Sequence, residues 1–188
     1  MFTDCIVTDR LILRRFVEED VDDVFALMSD DYICRMAGIP PFKTPERARW
    51  FMDNWQDGAY AITERDGDDT VIGIIQVPYH WFEGRVSFGD WLAEPYRGKG
   101  YMTEVVEALT ENVFNSYLYC DEIDIFVYRG NEASRNVALK CGFFPKYEAY
   151  KECVYSHYGS AESEECYAMT RGDYEWRRRG ESSYSTAA

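Results

Sequence analysis

The chain lacks three features that define large functional classes: a surplus of basic residues, a long apolar run and closely spaced cysteines. Its 188 residues contain 20 Lys and Arg against 34 Asp and Glu, a net charge of −14. This balance disfavours binding to nucleic acid or to an anionic membrane, because both partners require a basic face. The longest apolar stretch, Val71 to Val77, is far shorter than the ~20 residues that cross a bilayer.

None of the six cysteines has C-x-x-C spacing to another, which argues against a zinc or redox motif of that type. The start of the chain has no basic segment followed by an apolar one, because Asp4 and Asp9 interrupt it. We therefore expect a cytoplasmic protein with reduced thiols. We expect no metal and no nucleic-acid or membrane partner.

Hydrophobic residues make up 46% of the chain and aromatic residues 16%, which is enough for a sizeable core. We predict one domain over residues 1–176 and a polar, disordered tail over 177–188. Period-2 alternation predicts a strand over 10–16. Strand-like runs bounded by turn residues predict further strands over 60–64, 70–77, 85–92, 123–127, 144–154 and 165–171, of which the first two form a hairpin. Helical spacing and caps predict helices that begin near Glu18, Pro45, Tyr101 and Asn131. This order indicates an α+β fold around one mixed sheet.

The strongest local signal is a loop, Arg97-Gly98-Lys99-Gly100, between a predicted strand and a predicted helix. The two glycines permit a tight turn and close approach to a ligand, and the N–H groups of a helix N-terminus attract an anion. The loop is neither a Walker motif nor a dinucleotide fingerprint, since Thr103 occupies the place of the third glycine. It is either a cradle for a diphosphate or an ordinary turn with two solvated cations.

Four stretches together resemble the GNAT superfamily of N-acetyltransferases. The segment Arg97-Gly98-Lys99-Gly100-Tyr101-Met102-Thr103-Glu104 is similar to its acyl-CoA motif, R-x-x-G-x-[G/A], in the form common in the RimJ/RimL-like branch. The opening strand, Thr8-Asp9-Arg10-Leu11-Ile12-Leu13-Arg14, also resembles that branch. So do Asn131-Glu132-Ala133-Ser134 with Lys140-Cys141-Gly142-Phe143, and the closing strand Tyr167-Ala168-Met169-Thr170-Arg171.

The resemblance implies a mixed, mostly antiparallel sheet of about seven strands flanked by about four helices, with a splayed strand pair that admits acyl-CoA. It implies acetyl-CoA as co-substrate and no metal. The cofactor-binding residues would be Leu92, Ala93, Arg97, Gly98, Lys99, Gly100, Tyr101, Met102, Thr103, Asn131 and Asn136. A plain helix cap is the alternative interpretation of Asn131.

The resemblance also suggests catalytic residues. Many members carry a tyrosine acid where this chain has Ala138, and the branch commonly uses the residue that corresponds to Ser134 instead. Asp90 is our candidate for the general base, and Glu83 is the alternative. Met102 departs from the motif, which usually ends in a small residue.

We therefore expect an enzyme that transfers acetyl directly from acetyl-CoA to a primary amine. The acceptor is either a protein N-terminal α-amine or a small-molecule amine, and the sequence does not distinguish between them. A homodimer is possible as well. The alternative function is a non-catalytic acyl-CoA-binding regulatory module.

Overall fold

The fold was obtained as a computed structural model, which describes residues 3–80, 83–149 and 164–180. These residues form nine strands and six α-helices. In chain order they are β1 Cys5–Val7, β2 Leu11–Arg14, α1 Val21–Met28, α2 Asp31–Ala37, α3 Pro45–Trp55, β3 Ala59–Glu64, β4 Gly73–Gln76, β5 Tyr79–His80, β6 Arg85–Leu92, α4 Tyr101–Ser116, β7 Glu122–Tyr128, α5 Glu132–Lys140, β8 Phe144–Ala149, β9 Glu164–Thr170 and α6 Arg171–Arg178.

Eight strands form one mixed sheet in the order β1-β2-β3-β4-β6-β7-β9-β8, and β5 pairs with β6. All neighbouring pairs are antiparallel except β6 and β7, which are parallel. The parallel pair is the one joined through helix α4, as a crossover connection requires. This is the mixed, mostly antiparallel α+β sheet that the sequence predicted.

The sheet buries a different apolar cluster on each face. On one face α4 packs against alternating side chains of β2, β3 and β6, including Leu11, Tyr60 and Val86. On the other face α1 and α3 pack against the intervening residues, among them Ala61 and Trp91. Because side chains alternate along a strand, β6 contributes to both clusters. Neighbouring residues of β6 therefore face different surroundings.

The counts of about seven strands and four helices were too low, because β1, β5, α2 and α6 were not predicted. The first two are short, with three and two residues. The seven residues of α2 are too few to show a helical period.

Helix α6 is rich in charge and carries few apolar residues, so it showed no helical period in the sequence. It begins at Thr170, which forms a capping box with Asp173, and it includes Arg177 and Arg178. The first two residues of the predicted tail are therefore helical, and the division into a domain and a tail stays a prediction. Residues 181–188 lie outside the described part of the chain, as does the end of the strand predicted over 144–154.

No helix within the described ranges combines the length and the apolar character that a membrane crossing requires. Five cysteines lie in these ranges. Cys34, Cys120, Cys141 and Cys166 are buried free thiols, and Cys5 is an exposed one. Cys153 lies outside the described residues.

Candidate active site: a cleft beside strand β6

Strand β6 has a free edge along its second half. Its pairing with β7 ends at Phe88, opposite Ile125, whereas its pairing with β4 continues to Leu92. The N–H of Ala93 donates to the carbonyl of Ile72 on the β4 side, at 2.9 Å. Because successive peptide groups point to opposite sides of a strand, the N–H groups of Asp90 and Leu92 face the free edge. The splayed strand pair predicted from the sequence is therefore present.

The free edge leads directly into the two-glycine loop. Gly98 and Gly100 have φ angles of 74° and 81°, in the left-handed region that glycine adopts without strain. A side chain added at Gly98 would meet no atom within 4 Å, so this side of the loop is open. Helix α4 starts at Tyr101, and the N–H groups in its first turn have no partner within the helix. The loop and the helix start together present a set of unused backbone donors.

Two cations of the loop make different contacts. Arg97 donates from Nε to the carbonyl of Leu92 at 2.9 Å, and its guanidinium lies over the ring of Tyr32 at 4.8 Å. Its Nη2 is buried and has no hydrogen-bond partner among the described residues. Lys99 instead directs its ammonium at the ring of Tyr96, 5.1 Å away. Arg97 therefore has one buried donor whose hydrogen-bonding capacity is unused among the described residues.

The free edge, the loop and the start of α5 enclose a cleft of about 280 Å³. Asn131 caps α5 by accepting a hydrogen bond from the N–H of Ser134 at 3.2 Å, so its predicted capping role is confirmed. Most of the predicted site residues line this cleft: Asp90, Leu92, Arg97, Gly98, Gly100, Tyr101, Met102, Thr103, Asn131, Ser134 and Asn136.

Two predicted residues do not line the cleft. Ala93 packs with the α1–α3 cluster, because its side chain lies on the opposite face of β6 from Leu92. Lys99 lies over the aromatic rings on the outer side of the loop. Their backbone still forms part of the strand and loop that border the cleft.

Sequence reasoning missed one wall of the cleft. Helix α2 contributes Tyr32, Ile33, Met36 and Ala37, and α5 adds Lys140. The spacing of the four α2 residues places them on one side of a helix. This signal was present in the sequence, but it spans little more than one turn. Lys140 is positioned by the C-terminal end of α5 and, after Arg97, is the second cation that lines the cleft among the described residues.

Asp90 and Ser134 meet at the floor of the cleft. The hydroxyl of Ser134 donates to Oδ1 of Asp90 at 3.4 Å, a long hydrogen bond. Asp90 is half-buried, reaching solvent through the cleft. Burial raises the pKa of Asp90 to about 6, and the hydrogen bond from Ser134 opposes this rise. A carboxylate with a pKa near 6 can accept a proton at neutral pH and release it again.

The alternative base, Glu83, lies elsewhere. It forms an ion pair with Arg85 at the other end of β6, and 55% of its side chain is exposed. Met102 is buried in the core under α4, so this larger residue does not crowd the loop. Ala138 is fully buried in the same core. Ser134 is therefore the hydroxyl that α5 supplies to the cleft.

Residues 10–144 match the family described as the acetyltransferase (GNAT) domain. The chain is 28% identical over 145 residues to the uncharacterised N-acetyltransferase YoaA of Bacillus subtilis, which covers 72% of this chain and 80% of the relative. The family match covers well over half of the sequence. The chain therefore belongs to the GNAT acetyltransferase family, as the motifs suggested.

Solved structures agree with this fold. An acetyltransferase of the GNAT family from Bacillus anthracis superposes with a TM-score of 0.79 at 22% identity, covering 89% of this chain and 99% of the other. RimL, a ribosomal L7/L12 α-N-protein acetyltransferase solved with coenzyme A, superposes with a TM-score of 0.75 at 19% identity, covering 88% and 96%. At these identities the likeness concerns the fold.

Proposed function

We propose that this acetyltransferase moves the acetyl group of acetyl-CoA directly to a primary amine, with Asp90 as general base and Ser134 as general acid. The observation that carries the proposal is one continuous path. The free edge of β6 ends in the open two-glycine loop, and the Asp90–Ser134 pair lies between this edge and α5. A thioester arm, a diphosphate and an attacking amine each find a matching surface there.

The loop suits the diphosphate of CoA. The N–H groups from Gly98 to Thr103 are donors, and Arg97 and Lys140 add positive charge in a chain of net charge −14. The pantetheine arm pairs with the N–H and C=O groups of the free edge, as an added strand does. Asn131 and Asn136 border the arm from α5. In this proposed arrangement the thioester lies beside Asp90.

The chemistry follows from this placement. A lysine amine has a pKa of about 10.4 and an α-amine about 7.7–8.0, so an acceptor arrives mainly protonated and releases one proton to solvent. The neutral nitrogen then attacks the thioester carbon, and the N–H of Leu92 stabilises the oxyanion. As the C–S bond breaks, Ser134 donates its hydroxyl proton to the thiolate. Asp90 takes the second proton from nitrogen and passes it to Ser134 through their hydrogen bond.

The residues that line the cleft also favour one kind of acceptor amine. Among the described residues that line it, Asp90 is the acidic one, and the α2 wall is mainly apolar. A polyamine carries several charges and needs several carboxylates along its path, whereas an amine next to an apolar group does not. The lining therefore favours an acceptor with a single amine, either a protein N-terminus or a small molecule. RimL, a fold neighbour, acts on a protein N-terminus.

The test measures thiol release from acetyl-CoA with N-terminal peptides, small monoamines, lysine and polyamines. Turnover with peptides or monoamines that exceeds turnover with polyamines at least tenfold supports the proposal. Turnover led by polyamines contradicts the proposed acceptor. Stabilisation by CoA, which reaches ~2.7 kcal/mol at a hundred times Kd, without turnover with any amine would favour the regulatory module.

A further inference from the structure

Arg10 lies behind the two-glycine loop, outside the cleft. It follows the turn between β1 and β2, and its Nη1 donates to the carbonyl of Lys99 at 2.9 Å. Its Nε donates to Oε2 of Glu104 at 2.7 Å, and its backbone N–H donates to Oε1 of Glu104 at 2.9 Å. Thr8 adds a hydrogen bond from its hydroxyl to the same Oε1 at 2.6 Å. One arginine therefore connects the loop to the first turn of α4.

The same guanidinium also covers the residues between these two contacts. It lies over the ring of Tyr101 at 4.6 Å. Its Nη2 would be 3.6 Å from a Cβ at Gly100. Arg10 thus contacts the residues on both sides of Gly100 and does not itself line the cleft. These contacts involve the glycine that most needs an external restraint, because glycine has the largest choice of backbone conformations.

The hydrogen bond to Lys99 fixes the direction of the next donor. In a trans peptide the C=O of one residue and the N–H of the following residue point in opposite directions. Arg10 holds the Lys99 carbonyl on the outer side of the loop. The N–H of Gly100 consequently points to the inner side, where Gly100 lines the cleft. A rotated peptide would present a carbonyl to the diphosphate and repel it.

We propose that Arg10 is a positioning residue that aims the Gly100 N–H at the diphosphate of the co-substrate. This inference rests on the proposed binding of acetyl-CoA. It assigns Arg10 no contact with the ligand: its effect is carried by the peptide between Lys99 and Gly100. The guanidinium is held at two points, because Nε donates to the Glu104 carboxylate and Nη1 donates to the Lys99 carbonyl, and two anchors restrict its rotation.

Arg10→Met and Arg10→Lys test the proposal by calorimetric titration with CoA and with pantetheine, which has no diphosphate. We expect Arg10→Met to weaken CoA binding at least tenfold and to lower the ratio of CoA affinity to pantetheine affinity to a similar extent. Arg10→Lys keeps the charge but cannot make both side-chain contacts, so we expect at least a fivefold loss. Arg49→Met removes an equal charge from the exposed surface of α3 and should change CoA affinity less than twofold.

Each outcome bears on one claim. Failure of the wild-type protein to bind CoA would contradict the proposed function itself. Wild-type binding with no loss in Arg10→Met, or full affinity in Arg10→Lys, would overturn the positioning role and leave the function intact. An equal loss for CoA and pantetheine would show a general structural defect and also overturn it. If Arg10→Met does not fold, Arg10→Lys supplies the same comparison.

Discussion

The two halves of the sheet around β6 each hold an aspartate with limited access to solvent, and the surroundings of the two aspartates differ. In the closed half, where β6 pairs with β7, Asp124 is 1% exposed and accepts a hydrogen bond from Nη1 of Arg85 at 3.1 Å. In the open half, Asp90 is hydrogen-bonded by Ser134. Within the described residues no Lys or Arg forms an ion pair with Asp90. One carboxylate thus has a cation beside it, and the other does not.

The causes of the pKa shifts explain the difference. Burial is the main reason why the pKa of Asp124 is raised, and repulsion from Glu122 adds to it, while Lys146 and Arg85 oppose it. At Asp90 burial alone raises the pKa to about 6. A buried carboxylate without a cation costs stability when it is ionised. Carboxylates with such raised pKa values occur most often at functional sites, where their proton takes part in the reaction.

The largest expected effect is the loss of turnover in Asp90→Asn. General-base catalysis contributes about a hundredfold or more, and asparagine cannot accept the proton. We expect kcat to fall by about that factor and the rise of rate with pH around 6 to disappear, measured by thiol release. Glu83→Gln is the matched control and should stay within about twofold of wild type. Equal losses of kcat in Asp90→Asn and Glu83→Gln would contradict a specific catalytic role for Asp90.

The same substitution should stabilise the protein. Because folding raises the pKa of Asp90 from 3.8 to about 6, the wild-type protein loses stability as pH rises through this window and stays penalised above it. Asp90→Asn should therefore increase the free energy of unfolding by up to about 3 kcal/mol at pH 8, at ~1.36 kcal/mol per pKa unit, and by roughly half as much at pH 5. Urea unfolding at both pH values checks this. A destabilised variant at pH 8 would contradict the buried, uncompensated charge.

In the closed half, by contrast, removing the charge beside the aspartate should lower the free energy of unfolding. Arg85→Met removes the cation beside Asp124 and Glu122, and should lower the free energy of unfolding by about 2 kcal/mol at pH 8. The loss should shrink towards pH 5, because the raised pKa of Asp124 lets it take up a proton as pH falls. Arg49→Met, at an exposed ion pair, is the control. A loss that does not depend on pH would point to packing alone.

The smallest expected effect concerns CoA affinity at the two-glycine loop, beside the open half of the sheet. The side chains introduced by Gly98→Asp and Gly98→Asn have nearly the same size and shape, and both residues tolerate a positive φ. A difference in CoA affinity between the two variants therefore reports the effect of the charge. We expect CoA to bind at least tenfold more weakly to the Asp variant than to the Asn variant, which is about 1.4 kcal/mol. Equal affinities, measured by calorimetry, would mean that no anion binds at this loop.

Much of this arrangement could be predicted from local patterns. The bounds of β6 were predicted correctly, because polar and apolar residues alternate over its first half and Pro95 follows shortly after its end. The start of α4 at Tyr101 also agreed, since a two-glycine loop precedes a run of helical spacings. Asn131 and Ser134 were placed correctly because a cap and its partner are separated by a fixed number of residues.

Other features had no local signal. The contact of Tyr32 with Arg97 joins residues that are far apart in sequence, within a helix too short to show a period. The role inferred for Arg10 likewise depends on its meeting Lys99 and Glu104, about ninety positions away. The pKa of Asp90 was not predictable either, because it depends on what surrounds the carboxyl group.

The sequence by itself determined the family, the α+β class and the glycine loop, because turn chemistry, capping and hydrophobic periodicity act between residues close along the chain. Only the tertiary structure decided where β6 and β7 separate, which helix closes the cleft and which aspartate lacks a cation. These properties depend on the relative placement of distant segments, and on the water and charge that this placement leaves beside each side chain.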